Sequence, residues 1–552
     1  MIGLIVVSAC GRSGVGVETA RVDQIFATWN TPASPGCSLG VSRDGSVVYE
    51  RGYGMADLEQ RTPIAPSSIF HVASISKQFT AMSIMLLAAR GQLSIDDDVG
   101  KYVPEWADKG RPITVRHLLN HTSGLRDVFF LLGLVAPRDY GDDRNGTIAP
   151  LLAHQRELNF PPGSEYQYNN GGYLLLANIV KRASGQSLRA FADANIFKPL
   201  GMSSTHFHDD PAMAVPNRAL GYHRDGSGFR PARHEDLGRL VGNTGLFTTT
   251  GDLLRWEQNF ADPRVGDQAT LAAMQTPTIL ANGVTNPYGF GLQIDHDLGL
   301  QTVGHGGGDP GYRAQVMRYP ERGLAVAVLC NLDDIDAVAL AKRVAAVYLG
   351  DQRMPTAAGP TVPSSRVTLT ADELSSKAGL YRDPAKEIFG RVFVRDGKLI
   401  ASPNAGADDG VELVPADRQH FVIAGTTIRA EFVPPAAGRP QQIRVTGAGP
   451  TPIVTEQVTS TFTPAAPELR VFAGKYVSRE LEVTYAIRPG DGGLILDVPG
   501  RTPIALAPIF PDAFHGDLVD VIEFSRDTRH AVTGFTINTD GVRRLRFERV
   551  SL

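Results

Sequence analysis

Ser74 and Lys77 stand three residues apart in HVASISKQFTAMSIMLLAARG, a spacing that sets a nucleophile beside its own base. Phe79, Met82, Leu86 and Leu87 recur behind them at helical intervals. Residues three apart share a helix face, so Lys77 can reach back to the Ser74 hydroxyl. A serine hydroxyl is a weak nucleophile until a neighbouring amine of lowered pKa takes its proton. In a first helical turn the Ser74 backbone N–H is also an orphan donor, able to bind a developing oxyanion. So short a pattern is more often a helix cap and a surface lysine, and it decides little alone.

Two further segments change the balance. In PPGSEYQYNNGGY, Tyr168 and Asn170 flank one residue in an irregular loop that runs into the apolar helix LLLANIVKRASG. There a phenol can act as acid or base and an amide can position a partner. In VGHGGGDPGY, glycines follow His305, and their small size lets backbone N–H groups approach a substrate and complete an oxyanion hole. Three such elements in this order are hard to obtain by chance.

At this point the chain resembles the serine β-lactamase and penicillin-recognising hydrolases, in the class C-related D-aminopeptidase and esterase branch (peptidase family S12). The three family elements read here Ser74–Lys77, Tyr168–Asn170 and His305–Gly307. PGCSLGVSRDGSVVYERGYGMADLE, ITVRHLLNHTSGL and GLFTTTGDLLRWEQNF add to the likeness, which covers roughly residues 23–350. The branch with histidine in the third element is associated less with β-lactamase action than with D-amino-acid peptides, amides and esters.

The resemblance implies that Ser74 attacks an acyl carbon while Lys77, Tyr168 or both take its proton. Backbone N–H groups of Ser74 and Gly308 would hold the oxyanion, with Gly306 and Gly307 lining the substrate path. Tyr168 would protonate the leaving group and Asn170 would orient Lys77. His305 would fill the place of a lysine, titrating near neutral pH and anchoring a substrate carboxylate weakly. The favoured function is a serine acyl-hydrolase on D-amino-acid amides or short peptides. A carboxylesterase is the alternative, ahead of a weak β-lactamase or D,D-peptidase and of a non-catalytic sensor of peptidoglycan fragments.

Other polar residues have plainer readings. His71 is expected to pack in the loop entering the helix, and His117 and His121 to make local hydrogen bonds. Asp96, Asp97 and Asp98 read as a solvated turn. No metal-ligand spacing occurs, so neither metal nor cofactor is expected.

With 552 residues the chain should form two or three domains, and its 42% hydrophobic content is ample for burial. A net charge of −4 gives no nucleic-acid footprint. Of three cysteines, Cys37 and Cys330 lie in apolar strand-like runs and read as buried free thiols. Cys10 ends MIGLIVVSAC, which resembles a bacterial lipoprotein cleavage box. Residues 1–22 are accordingly set apart as a signal remnant, with a possible lipid anchor at Cys10 and an envelope or periplasmic location.

The catalytic part, 23–350, is expected to be α/β in three layers. Strands from 37–55 and 301–330 would form an antiparallel sheet, with helices on both sides. A Pro/Thr/Ala/Ser-rich linker, 351–367, follows. Beyond it AGLY at Ala378–Tyr381 returns 95 residues later as AGKY at Ala473–Tyr476. Two copies of one unit, 368–463 and 466–552, fit two small antiparallel, lipocalin-like β-barrels, as in the D-aminopeptidases of this family. In those relatives a loop of the last barrel enters the active site. The positional candidate here is Pro508–His515, with Asp512 as a carboxylate for a substrate ammonium. Asp417 occupies the matching place of the first copy, which favours a turn device.

Overall fold

The computed structural model describes residues 13–550, apart from 104–105, 107–109, 136–149, 227, 233–239, 351–366, 385–387, 403–409, 425–427, 437, 448–451, 459–461, 518 and 540. Cys10 and nearly all of the linker therefore lie outside the described residues. A six-stranded antiparallel sheet organises the catalytic part. Its strands run in the order Gln293–Asp297, Leu300–Asp309, Tyr312–Tyr319, Leu324–Cys330, Cys37–Arg43, Ser46–Tyr53. Leu324–Cys330 (LAVAVLC) is buried at every position, as a central strand covered on both faces must be. Ser46–Tyr53 at one edge is largely exposed.

Each face of the sheet has its own core. Helices Ser13–Ile25 and Ala337–Leu349 cover one face, burying Val22, Phe26, Leu340 and Val344 against Leu39, Val326 and Val328. The helix that begins at Ser13 thus takes in the end of the segment set apart as 1–22. The other face packs on a larger helical half built around Ser76–Ala89 and Asn170–Ser184. The latter helix is bounded by signals in the sequence: Asn169 caps it by accepting from Gly172 N at 2.8 Å, and Gly185 ends it at φ +75°.

Cys37 and Cys330 are not free thiols. They face each other in register on neighbouring antiparallel strands, with Cα atoms 4.0 Å apart, and form a disulfide. Their separation of 293 residues hides this in the sequence, because only sheet pairing brings them together.

Two closed eight-stranded antiparallel barrels follow. Strands of the first run from Gly379–Asp383 to Ile453–Gln457, those of the second from Gly474–Ser478 to Leu545–Arg549. The first keeps a small core of its own, with Tyr381, Phe421 and Phe432. The core of the second, including Phe472, Tyr485, Phe514 and Phe535, is continuous with the helical half of the catalytic part.

Candidate active site

Ser74 lies on a 3-10 turn, Ala73–Ile75, that leads directly into the helix Ser76–Ala89. Ala73 adopts φ +46°, a left-handed conformation that costs a non-glycine residue energy and persists only when the surroundings enforce it. The enforcement is visible. Val72 N donates to Leu246 O at 3.0 Å, while Ser76 Oγ donates to Ala73 O at 2.5 Å and accepts from Leu246 N at 3.1 Å.

One turn on, Lys77 is completely buried. Its Nζ lies 3.0 Å from Ser74 Oγ, 3.0 Å from Asn170 Oδ1 and 2.9 Å from the Asn243 carbonyl oxygen. Burial drives the Lys77 pKa down to about 7, against an opposing pull from Asp127. The free amine is therefore available near neutral pH, as a base for a serine requires.

The tyrosine loop is positioned from behind. Asn169 N donates to His121 Nδ1 at 3.1 Å, and the His121 and Tyr168 ring centroids are 4.4 Å apart. This bond spans 48 residues, so His121 supports the tyrosine loop and does not make the local hydrogen bond expected of it. His117 does make a local bond, accepting from Thr114 N at 3.2 Å. The Lys77 Nζ sits 4.7 Å from the centre of the Tyr168 ring, within cation–π range. The Tyr168 hydroxyl is buried without a well-aligned hydrogen bond. Burial raises its pKa, and the nearby Ser74 hydroxyl offsets part of the rise.

His305 arrives on the strand Leu300–Asp309. This strand presses against the nucleophile turn: a Cβ on Gly307 would lie 2.2 Å from Val72 O, so only glycine fits. The neighbouring strand Gln293–Asp297 pairs with it only as far as Gly304, leaving Gly306–Gly308 along an edge among the described residues. His305 Nδ1 is 2.5 Å from Gly306 O, which can only accept, so Nδ1 carries the proton. Nε2 then accepts from the Tyr288 hydroxyl at 3.0 Å. Burial, followed by the proximity of Lys77, lowers the His305 pKa to about 3. The expectation that it titrates near neutral pH is thus corrected: desolvation keeps it neutral.

His71 is buried in the short strand Phe70–His71 that leads into the nucleophile turn: its Nε2 accepts from Gly245 N at 3.3 Å, and its Nδ1 lies 3.2 Å from the Asp309 carboxylate.

Asp512 is not among these residues. It forms the turn of a hairpin at φ +70° and pairs with Arg526 at 2.7 Å. That hairpin packs on the first barrel through Phe389, Ile509, Ala513 and Phe510. The second barrel reaches the catalytic part elsewhere, through Glu480 and Tyr485 and, nearest the tyrosine loop, through residues 541–544. Asp127 N donates to Gly541 O at 2.9 Å, Arg543 N donates to Asn159 Oδ1 at 2.8 Å, and the Arg543 guanidinium pairs with Glu165 at 3.2 Å. The turn role that the matching Asp417 suggests for Asp512 is the one it has, and the loop put forward by resemblance is not the one that meets the tyrosine loop.

Nothing in the sequence singles out Asp127. It precedes the apolar run VFFLLGL, a cap signal that marks a helix start and says nothing of a partner 43 residues away.

A strained serine turn, a buried neutral-range lysine and a buried tyrosine between an antiparallel sheet and a helical half define a serine hydrolase of the penicillin-recognising kind. Residues 22–349 match the beta-lactamase family, and the chain belongs to it. It is 29% identical over 489 residues to a D-aminopeptidase of Cereibacter sphaeroides, covering 87% of each chain. It is 32% identical over 305 residues to a D-aminopeptidase of Brucella anthropi, covering 54% of this chain and 56% of that one. The octameric penicillin-binding protein homologue from Pyrococcus abyssi superposes with a TM-score of 0.56 at 24% identity, over 80% of this chain and all of that one.

Proposed function

We propose that this serine hydrolase cleaves D-amino-acid amides or short peptides with a D-residue at the N-terminus, through a Ser74 acyl-enzyme. The observation that carries the reading is the buried Lys77 amine 3.0 Å from Ser74 Oγ, with burial bringing its pKa to about 7. Lys77, alone or with Tyr168, takes the serine proton as Oγ bonds to the acyl carbon. The N–H groups of Ser74 and Gly308 hold the oxyanion. Collapse breaks the C–N bond, and Tyr168 passes a proton to the departing amine. Water then releases the acid by the same route in reverse. Asn170 orients Lys77, and Gly306 and Gly307 lie along the substrate. A neutral His305 supplies no fixed cation for a penicillin carboxylate, which favours the amide reading over a β-lactamase. The D-aminopeptidase relative that aligns over 87% of both chains supports the same choice.

Hydrolysis of D-alanine p-nitroanilide by the wild type, absent in Ser74→Ala, is the expected result. Turnover of p-nitrophenyl esters without any of the anilide would transfer the reading to a carboxylesterase. The Cys37–Cys330 disulfide supports an oxidising envelope location. Mass spectrometry of the cell-derived protein for a lipidated Cys10 tests the anchor.

A further inference from the structure

We propose that Asp127 is a positioning residue for Lys77, and that the second barrel holds Asp127 in place. The inference rests on the reading of Lys77 as the base for Ser74.

The connection is a continuous series of hydrogen bonds. Lys77 Nζ donates to Asn170 Oδ1 at 3.0 Å. Asn170 N donates to Asp127 Oδ2 at 2.9 Å, so the carboxylate fixes the start of the helix that carries the amide. The other oxygen, Oδ1, accepts from Phe129 N at 2.9 Å and caps the helix Val128–Leu134. The Asp127 backbone N–H goes to Gly541 O of the second barrel at 2.9 Å. Both oxygens and the N–H are therefore committed, and the buried side chain has little freedom.

The barrel contact is built closely. A Cβ on Gly541 would lie 2.3 Å from the ring of exposed Phe130 and 3.1 Å from the Asp127 Cβ, so any larger residue must turn that ring aside and crowd Asp127. Gly541 O also accepts from Asn159 Nδ2 at 3.0 Å, and Asn159 Nδ2 donates to Gln167 Oε1 at 2.6 Å, next to Tyr168. One turn of the second barrel thus braces Lys77's amide partner and the tyrosine loop together.

Asp127 also acts by charge. Its carboxylate opposes the effect of burial on Lys77. The other titratable groups around Lys77 are Tyr168 and Tyr173, which present ring faces, and His121 and His305, whose own protonation burial and Lys77 oppose. Asp127 is the carboxylate of this set; burial pushes its own pKa up, against the N–H groups of Asn170 and Phe129 and the charge of Lys77.

The rate at which a fluorophosphonate labels Ser74 in the full-length protein, followed against pH, reads activation of the nucleophile independently of substrate. In Asp127→Asn the single amide oxygen can accept from Phe129 N or from Asn170 N but not from both as placed, and Nδ2 cannot accept, so one of the two bonds is lost together with the charge. The expected result is an alkaline plateau about tenfold lower or more, with the acid limb moved to lower pH. Gly541→Ala, which leaves the charge and pushes on Asp127, should lower the plateau without moving the limb, and it carries the test if Asp127→Asn fails to fold. Both variants matching wild type in plateau and limb would overturn the proposal while leaving the hydrolase reading intact. A wild type that is not labelled at all would overturn both.

Discussion

The two barrels are copies of one sequence unit, yet they have different relations to the rest of the molecule. The first encloses its own core around Tyr381, Phe421 and Phe432. The second shares a core with the catalytic helices and is keyed to them by Arg126. That guanidinium is fully buried and donates to the carbonyl oxygens of Arg543 and Arg544 at 3.1 Å each, to Gln155 Oε1 at 2.9 Å and to the Glu480 carboxylate. Tyr485 adds a hydrogen bond to Leu134 O. Between the barrels the contact is smaller: Phe389 meets Phe510 at 6.2 Å, and half-exposed Arg382 and Glu523 stand 3.9 Å apart. Duplication supplies a fold, and the surface residues of each copy decide what it docks on.

The sharpest way to break this comparison is Arg126→Ala. Removing one partner of a buried, hydrogen-bonded ion pair should destabilise the seam by about 3–5 kcal/mol. Urea unfolding should show the catalytic part and the second barrel weakened together, with hydrolysis lost at lower denaturant. A separate early transition for the second barrel alone would contradict a shared core.

Phe432→Ala probes the other side. The phenylalanine is buried in the first barrel, and its loss should cost that barrel about 3 kcal/mol. Calorimetry should show a low-temperature transition of the first barrel while Ser74 activity stays near wild type. Loss of activity in step with that transition would make the barrels equivalent.

The pH profile sharpens the contrast further. Lys77 must be deprotonated to act as base, so kcat/KM should fall about tenfold per pH unit below its pKa of about 7. No break should come from His305, which is already neutral throughout that range. Phe432→Ala should retain this limb unchanged.

The smallest effect belongs to Arg382→Ala. An ion pair this exposed contributes at most about 1 kcal/mol, so unfolding and hydrolysis should both stay close to wild type. A large loss would reveal a stronger junction between the barrels than the structure contains.

How far the sequence carries can be judged residue by residue. Ser74, Lys77, Tyr168, Asn170 and His305 are legible in the chain itself, because catalysis needs those groups at fixed spacing next to glycine turns and helix starts. The strands Cys37–Arg43 and Leu324–Cys330, which pair with each other, show as apolar strand-like runs, and the two barrels show as a repeat. These are local patterns of polarity and size, written along the chain.

What tertiary structure alone decided depends on residues far apart in sequence. Cys37 and Cys330 become a disulfide because sheet register aligns them. His305 is held neutral, and Lys77 is brought into the neutral range, because packing removes water from both. Asp127 gains its place through Asn170 and Gly541, 43 residues ahead in one case and on another domain in the other. That residues 541–544, and not the Asp512 hairpin, meet the tyrosine loop follows from which barrel face docks. Desolvation and register are properties of the assembled interior, and no window of sequence contains them.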